Sequence, residues 1–351
     1  MQTETMKNIL EHAYANPSEQ NFFYSANSAE TGSKRLNELG CWDWTPAKSA
    51  GIPGVNTCMF PLAMGCERVE IDNGKEWIKP LITCPEDVDK LEVPDIYSGR
   101  SGEVLENLIT MLKELPEGQI IRDPDTQSPL GVAELMWNES FYFALLENPA
   151  SVHKLLEKIT EFIIKFVREV QRLAGDRFNG AGFPCIWANP AGTMVADDTM
   201  SLISPEMHLE FSVPYLNELG DQCGPLFYHS CSWRKPYFDN IHQIRNVKAY
   251  NWNPGNSDDP AEIIREFSGR AVLAPHLVID MHKDNDVLKF SKELGISFAD
   301  EVEFLEYMMD GMTSESCLYF WFSNVVQKGE IIDRIYDLIH QRGYSPQAKG
   351  V

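Results

Sequence analysis

Two stretches, Leu202-Ile203-Ser204-Pro205-Glu206-Met207 and Leu226-Phe227-Tyr228-His229-Ser230-Cys231-Ser232-Trp233, decide how this chain is read. Ser204 suits an N-cap, Pro205 a first helical position and Glu206 the positive end of a helix dipole, so a helix opens there. Leu226 to His229 is a short apolar run of the kind that forms a buried strand. Helix followed by strand is also the beat on either side. Upstream, the apolar positions Val152, Leu155, Leu156, Ile159, Ile163, Phe166 and Val170 fall at spacings of three and four, which predicts a long helix over Pro149 to Ala174. Further helices are expected over Ser101 to Leu115 and over most of Leu130 to Glu147, with another opening at Asp259-Pro260-Ala261-Glu262. Strands are expected at Gln119 to Arg122, Phe183 to Trp187, Val247 to Trp252, Ala271 to Leu273 and Leu318 to Phe322.

Near the front, Asn73-Gly74 marks a hairpin between Val69-Glu70-Ile71 and Trp77 to Ile82, and Thr83 is placed to cap a short acidic helix from Pro85. Such alternation predicts a parallel sheet covered by helices, and its length favours closure into a (β/α)8 TIM-type barrel. No internal repeat or linker divides the chain. The expected organisation is a single barrel domain over 1–351, with 1–60 as an N-terminal extension or lid and 61–351 as the barrel. In that architecture the chemistry belongs on the loops that follow the strands.

The chain has 351 residues, 43% of them hydrophobic, which supports a sizeable core. Its formal charge is −22, from 52 acids against 30 lysines and arginines. A field of that sign disfavours nucleic acid and anionic membrane surfaces as partners. The start, Met1-Gln2-Thr3-Glu4-Thr5, has neither a basic region nor an apolar stretch behind it, and the longest apolar runs are far too short to cross a bilayer. A cytoplasmic location is expected, with the eight cysteines mostly as thiols.

In an extended segment alternate side chains share a face, so His229 and Cys231 project together while Ser230 points away. An imidazole beside a thiolate makes two-thirds of a catalytic zinc site, which uses three protein ligands and keeps a fourth position open. The same pair also suits a buried thiol beside a hydrogen-bonded histidine. For a third ligand, Cys317 adjoins the last expected strand, and Cys185, at another strand end, is its substitute.

From about Gly65 onward the chain resembles the uroporphyrinogen decarboxylase superfamily, in particular its corrinoid-dependent methyltransferase branch. The resemblance is carried by Asn73 to Pro80 leading into Pro85 to Leu91, by Ser128-Pro129-Leu130-Gly131-Val132-Ala133, and by Asn148 to Leu156. Its sharpest part is Leu202 to Met207 followed by Phe211-Ser212-Val213-Pro214-Tyr215, ahead of the His-x-Cys strand. The resemblance implies a barrel and zinc held by His229, Cys231 and Cys317. It further implies methyl transfer between a corrinoid, methylated on a small corrinoid-binding partner protein, and a small-molecule methyl donor or thiol acceptor. The direction of transfer stays open, as does the choice between monomer and homodimer.

Three features depart from the family pattern. The arginine-rich N-terminal signature of true decarboxylases is missing from Asn21 to Cys41. A carboxylate that some relatives carry after the following strand is replaced by Asn251-Trp252-Asn253. The segment around Cys317 is bulky where relatives are glycine-rich. Two alternatives follow: a metal-free decarboxylase of the same family, and a non-catalytic barrel that binds a corrinoid or other tetrapyrrole. Further pocket candidates are Asp125, Asp198, Tyr228, Trp252 and His276. Asp123 and Asp125 suit either substrate contact or helix capping, and Asp197 and Asp198 either an orienting role or a solvated loop. Tyr228, Trp233 and Trp252 suit either the pocket wall or the core. His276 and His282 bracket Asp280 at a spacing that permits a second metal site, but no third ligand is evident, so they stand as polar pocket candidates.

Overall fold

A computed structural model describes residues 21–27, 50–71, 74–116, 119–180, 192–278, 295–296, 298–323 and 329–343. The strands in chain order are β1 (Asn21–Asn27), β2 (Glu67–Ile71), β3 (Lys75–Lys79), β4 (Ile121–Arg122), β5 (Phe178–Asn179) and β6 (Thr193–Ala196). They continue as β7 (Leu226–Ser230), β8 (Val247–Trp252), β9 (Val272–Leu273), β10 (His276–Val278) and β11 (Cys317–Ser323). The main sheet runs β1-β11-β9-β8-β7-β6, with β10 also against β11, and every pairing in it is parallel. The short β4–β5 pair is parallel as well, and isolated parallel bridges join Ala50 to Ile121 and Gln127 to Ala196. The chain is therefore a mixed α/β protein built on a parallel sheet. Residues 21–27, within the expected N-terminal extension, supply one of its strands, pairing with β11 from Asn21↔Cys317 to Asn27↔Ser323.

The expected helix over Pro149 to Ala174 is present with those bounds. Its seven apolar positions are all fully buried, together with Phe162 and Val167, because a stripe at helical spacing buries most area when it faces the core. It packs on the helices Pro129–Trp137 and Val213–Cys223. Ser204 caps its helix by accepting a hydrogen bond from the Met207 amide. Asp259 does the same for the amides of Ala261 and Glu262.

The hairpin forms as β2 and β3, antiparallel, with Gly74 at φ +74° in the left-handed region that glycine tolerates. One local expectation is corrected. Thr83 is not the cap of the acidic helix; Cys84 holds that position, and Thr83 instead donates its hydroxyl to the Asp87 carboxylate at 2.8 Å. Asp87, one turn in, also accepts the amides of Thr83 and Cys84, so the helix end is satisfied from within. The apolar run Met59 to Leu62 lies in a short helix, Met59–Ala63, with Cys58 at its N-cap. The strand expected at Phe183 to Trp187, with Cys185, lies outside the described residues.

Parallel register fixes what faces what. In β7 and β8, Tyr228 pairs with Tyr250, His229 with Asn251 and Ser230 with Trp252. Residues paired across a sheet share a face, and neighbours along a strand alternate. Tyr228, Tyr250 and Trp252 thus point one way, and they pack with Trp233 and Phe267 of the helix Pro260–Phe267 in edge-on and tilted contacts. His229 and Asn251 share the opposite face.

Candidate metal and active site

The site gathers at the carboxyl ends of adjacent strands. His229 ends β7 but one, Cys231 follows directly, and Asp198 follows β6. The imidazole Nε2 of His229, the thiol of Cys231 and a carboxylate oxygen of Asp198 all lie within 4.8 Å of one another. The pairwise distances are 3.3 Å from Nε2 to the Cys231 Sγ and 3.6 Å from Nε2 to the Asp198 Oδ1. Oδ1 also accepts the Cys231 amide at 2.5 Å, which anchors the carboxylate beside the thiol.

The other ring nitrogen of His229 is committed. Nδ1 lies 2.5 Å from the side-chain oxygen of Asn251, and the Asn251 amide nitrogen donates to the carbonyl of Ala274. That second bond orients the amide, so its oxygen faces the ring and Nδ1 carries the proton. Nε2 is left with its lone pair toward Cys231 and Asp198, the tautomer a metal ligand requires.

Both loops are held from outside the group. The amide of Asp197 donates to the carbonyl of His229 at 2.8 Å. Its buried carboxylate accepts from His208 Nε2 at 3.0 Å, Ser212 at 2.9 Å and Tyr228 at 3.3 Å, and Asn240 donates to His208 Nδ1. Burial opposes the charge on Asp197, but the His208 and serine hydrogen bonds outweigh it and hold its carboxyl below the ordinary value. After β7, Ser232 donates to the carbonyl of Asn256, Trp233 takes its amide to Ser257, and Asp258 returns its own amide to Trp233. Cys231 therefore sits on a strapped turn.

The surroundings are acidic. Asp125 is half-buried in a left-handed backbone conformation, φ 53°, and burial raises its carboxyl while His229 lowers and Asp198 raises it. Burial, with Asp198 and Asp125 nearby, pushes the Cys231 thiol up to about 12. Asp123 caps no helix; it accepts from Thr193 at 2.7 Å and from Thr126, and Ser128 instead accepts the Gly131 amide at the next helix. Burial nevertheless raises Asp123 to about 7.

A carboxyl whose folded value exceeds its unfolded one is favoured protonated in the fold, so this group's stabilising protonated form is lost as pH rises from about 4 to about 7. The Asp123→Asn variant is expected to exceed the parent in stability at pH 8, by at most about 4 kcal/mol, with the gap cut by more than half at pH 5 and closed only below about pH 4. Urea unfolding with chelator present at both pH values measures this, and a gap independent of pH refutes it.

The sequence-derived candidates fare differently. His229 and Cys231 meet as expected. Asp198 joins them directly. Cys317 does not: its sulfur is no member of the group. In register Leu318 pairs with Leu273, Leu273 with Tyr250 and Tyr250 with Tyr228, so Cys317 aligns with Phe227, two residues before His229 and three strands away. That is about 14 Å along the sheet. Cys317 is the first residue of its strand and fully buried, whereas the site forms at strand carboxyl ends.

Tyr228 and Trp252 lie on the helix-covered face, opposite His229, and serve as core beneath the site. His276 begins β10, but its side chain, with Asp280 and His282, lies outside the described residues. Asn251, counted in the sequence as a missing carboxylate, is the partner of His229. No local signal in the sequence marked it, because its pairing with the histidine is set by strand register.

Residues 52–274 match the family described as uroporphyrinogen decarboxylase (URO-D), more than half of the chain. The protein belongs to the uroporphyrinogen decarboxylase family. No curated protein matches it. Among solved structures it is similar to a methyltransferase from Methanosarcina mazei, with a TM-score of 0.58 and 13% identity over 93% of each chain. At that identity the likeness shows the fold alone. A methylaspartate ammonia lyase from Clostridium tetanomorphum aligns at a TM-score of 0.38 and 7% identity, over 96% of this chain and 64% of the other, and carries no argument. Among the described residues of this URO-D family member, no helix is long and apolar enough to cross a membrane.

Proposed function

We propose that this URO-D family protein is a zinc-dependent methyltransferase. It moves a methyl group between a corrinoid, carried on a corrinoid-binding partner protein, and a small-molecule thiol or other methyl donor or acceptor. The reading includes closure of the parallel sheet into a (β/α)8 barrel, which the run from β6 to β1 and the parallel β4–β5 pair support. One observation carries it: an imidazole nitrogen, a thiol and a carboxylate oxygen converge within 4.8 Å of one another at strand ends.

The residues present fit zinc. The group offers nitrogen, sulfur and oxygen donors, which suit this ion, and His229 has its tautomer fixed by Asn251. With Cys231 raised to about 12, the metal-free site keeps a neutral thiol, and two nearby acids make it attractive to a cation. Zinc, when bound, supplies Lewis acidity and keeps a coordinated sulfur ionised near neutral pH.

The protein's own part is positional. Asn251 holds the imidazole, the Cys231 amide holds Asp198, and the turn fixed by Ser232 and Trp233 sets the thiol. Asp125 and Asp198 around the site oppose a polycarboxylate substrate, which calls for paired guanidinium groups, so decarboxylation of a porphyrinogen is disfavoured.

The test is metal content of protein purified without added zinc, combined with incubation with methylcobalamin and a panel of thiols. About one zinc per chain and thiol-dependent loss of the methylcobalamin spectrum are expected. Metal-free protein that decarboxylates a porphyrinogen would establish the alternative enzyme, and tight tetrapyrrole binding without turnover the non-catalytic one.

A further inference from the structure

We infer that Asp198, in place of a second cysteine, supplies the third protein donor, so that the metal is held by one nitrogen, one sulfur and one oxygen. The inference rests on the metal reading above and deepens it. Its basis is geometric. Oδ1 of Asp198 lies 3.6 Å from the His229 Nε2 and is pinned at 2.5 Å to the Cys231 amide, so it is already held against both other donors. The neighbouring Asp197 binds the backbone of His229 and is fixed by His208, Ser212 and Tyr228, which ties the turn bearing Asp198 to the strand bearing His229.

Independently of any acid, the His229 ring is turned by Asn251 so that its unprotonated nitrogen faces this point. Cys317 aligns with Phe227 in register and stands outside the group. Among the described residues no other set of histidine, cysteine and acidic donors converges in this way.

The charge balance is unchanged by the exchange. A neutral imidazole, a thiolate and a carboxylate cancel a divalent ion as well as an imidazole and two thiolates do. What changes is softness, since a carboxylate gives the metal less electron density than a thiolate and leaves it the stronger Lewis acid.

The full-length protein, stripped with chelator, is titrated with cobalt(II). Cobalt bound to thiolate shows a sulfur-to-metal charge-transfer absorption whose intensity scales with the number of thiolates. One equivalent with the intensity of a single thiolate is expected, and Cys231→Ser removes the band. Cys317→Ser leaves band and stoichiometry unchanged. Asp198→Asn weakens cobalt binding by about tenfold or more, and Asp198→Cys raises the band toward twice its height, a gain of signal that an unfolded variant does not give. A band halved by Cys317→Ser, with Asp198→Asn unchanged in affinity, overturns the ligand assignment and leaves the methyl-transfer reading in place. No cobalt binding at all overturns both.

Discussion

Replacing Cys231 with alanine should strip the protein of zinc and lower methyl transfer by about a thousandfold or more, with the fold intact. Loss of the sulfur leaves an imidazole and a carboxylate, too few donors for a site that needs three. The several kcal/mol of transition-state stabilisation that a metal provides convert to that factor at about 1.4 kcal/mol per tenfold. The structural cost is small because Cys231 is only partly buried, while the turn is held by Ser232, Trp233 and the Asn256–Asp258 backbone. Metal content, turnover and the circular dichroism melting curve measure the three parts. A variant that keeps its zinc and more than a tenth of its rate would exclude Cys231 as a ligand.

Changing Asn251 to leucine should weaken metal binding about 10- to 100-fold without touching a ligand. Leucine has the branching of asparagine with a bulkier end, and it offers no acceptor to the Nδ1 proton of His229 and no donor to the carbonyl of Ala274. The ring is then free to rotate or to exchange tautomers, and a buried carbonyl goes unsatisfied at about 1–3 kcal/mol of stability. Asn251→Asp separates the two effects, since it restores the acceptor but not the donor. Aspartate should recover most of the affinity while remaining less stable than the parent. Equal affinities for the leucine and aspartate variants would falsify a positioning role for Asn251.

Much of the architecture was legible in local pattern. The Pro149–Ala174 helix, the caps at Ser204 and Asp259, the hairpin at Gly74 and the strands β7, β8, β9 and β11 all answer to spacing or to single-residue chemistry. Those signals act within a few residues, so they survive without knowledge of the rest of the chain. The Thr83 cap failed at the same scale because the helix begins at Pro85, which leaves Cys84 at the cap, and Asp87, one turn in, takes the Thr83 hydroxyl and amide.

The sequence alone determined that His229 and Cys231 share one side of a strand end, since alternation along an extended backbone leaves no other arrangement. It could not choose their companion. Asp198, Asn251 and Cys317 are separated from that pair along the chain, and which of them arrives is set by strand register and by hydrogen bonds between loops. Only the folded sheet put Asn251 beside the imidazole, set Cys317 in register with Phe227 and outside the group, and turned Tyr228 and Trp252 to the helix-covered face. A one-residue shift in pairing exchanges the two faces of a strand, and local sequence carries no measure of that shift.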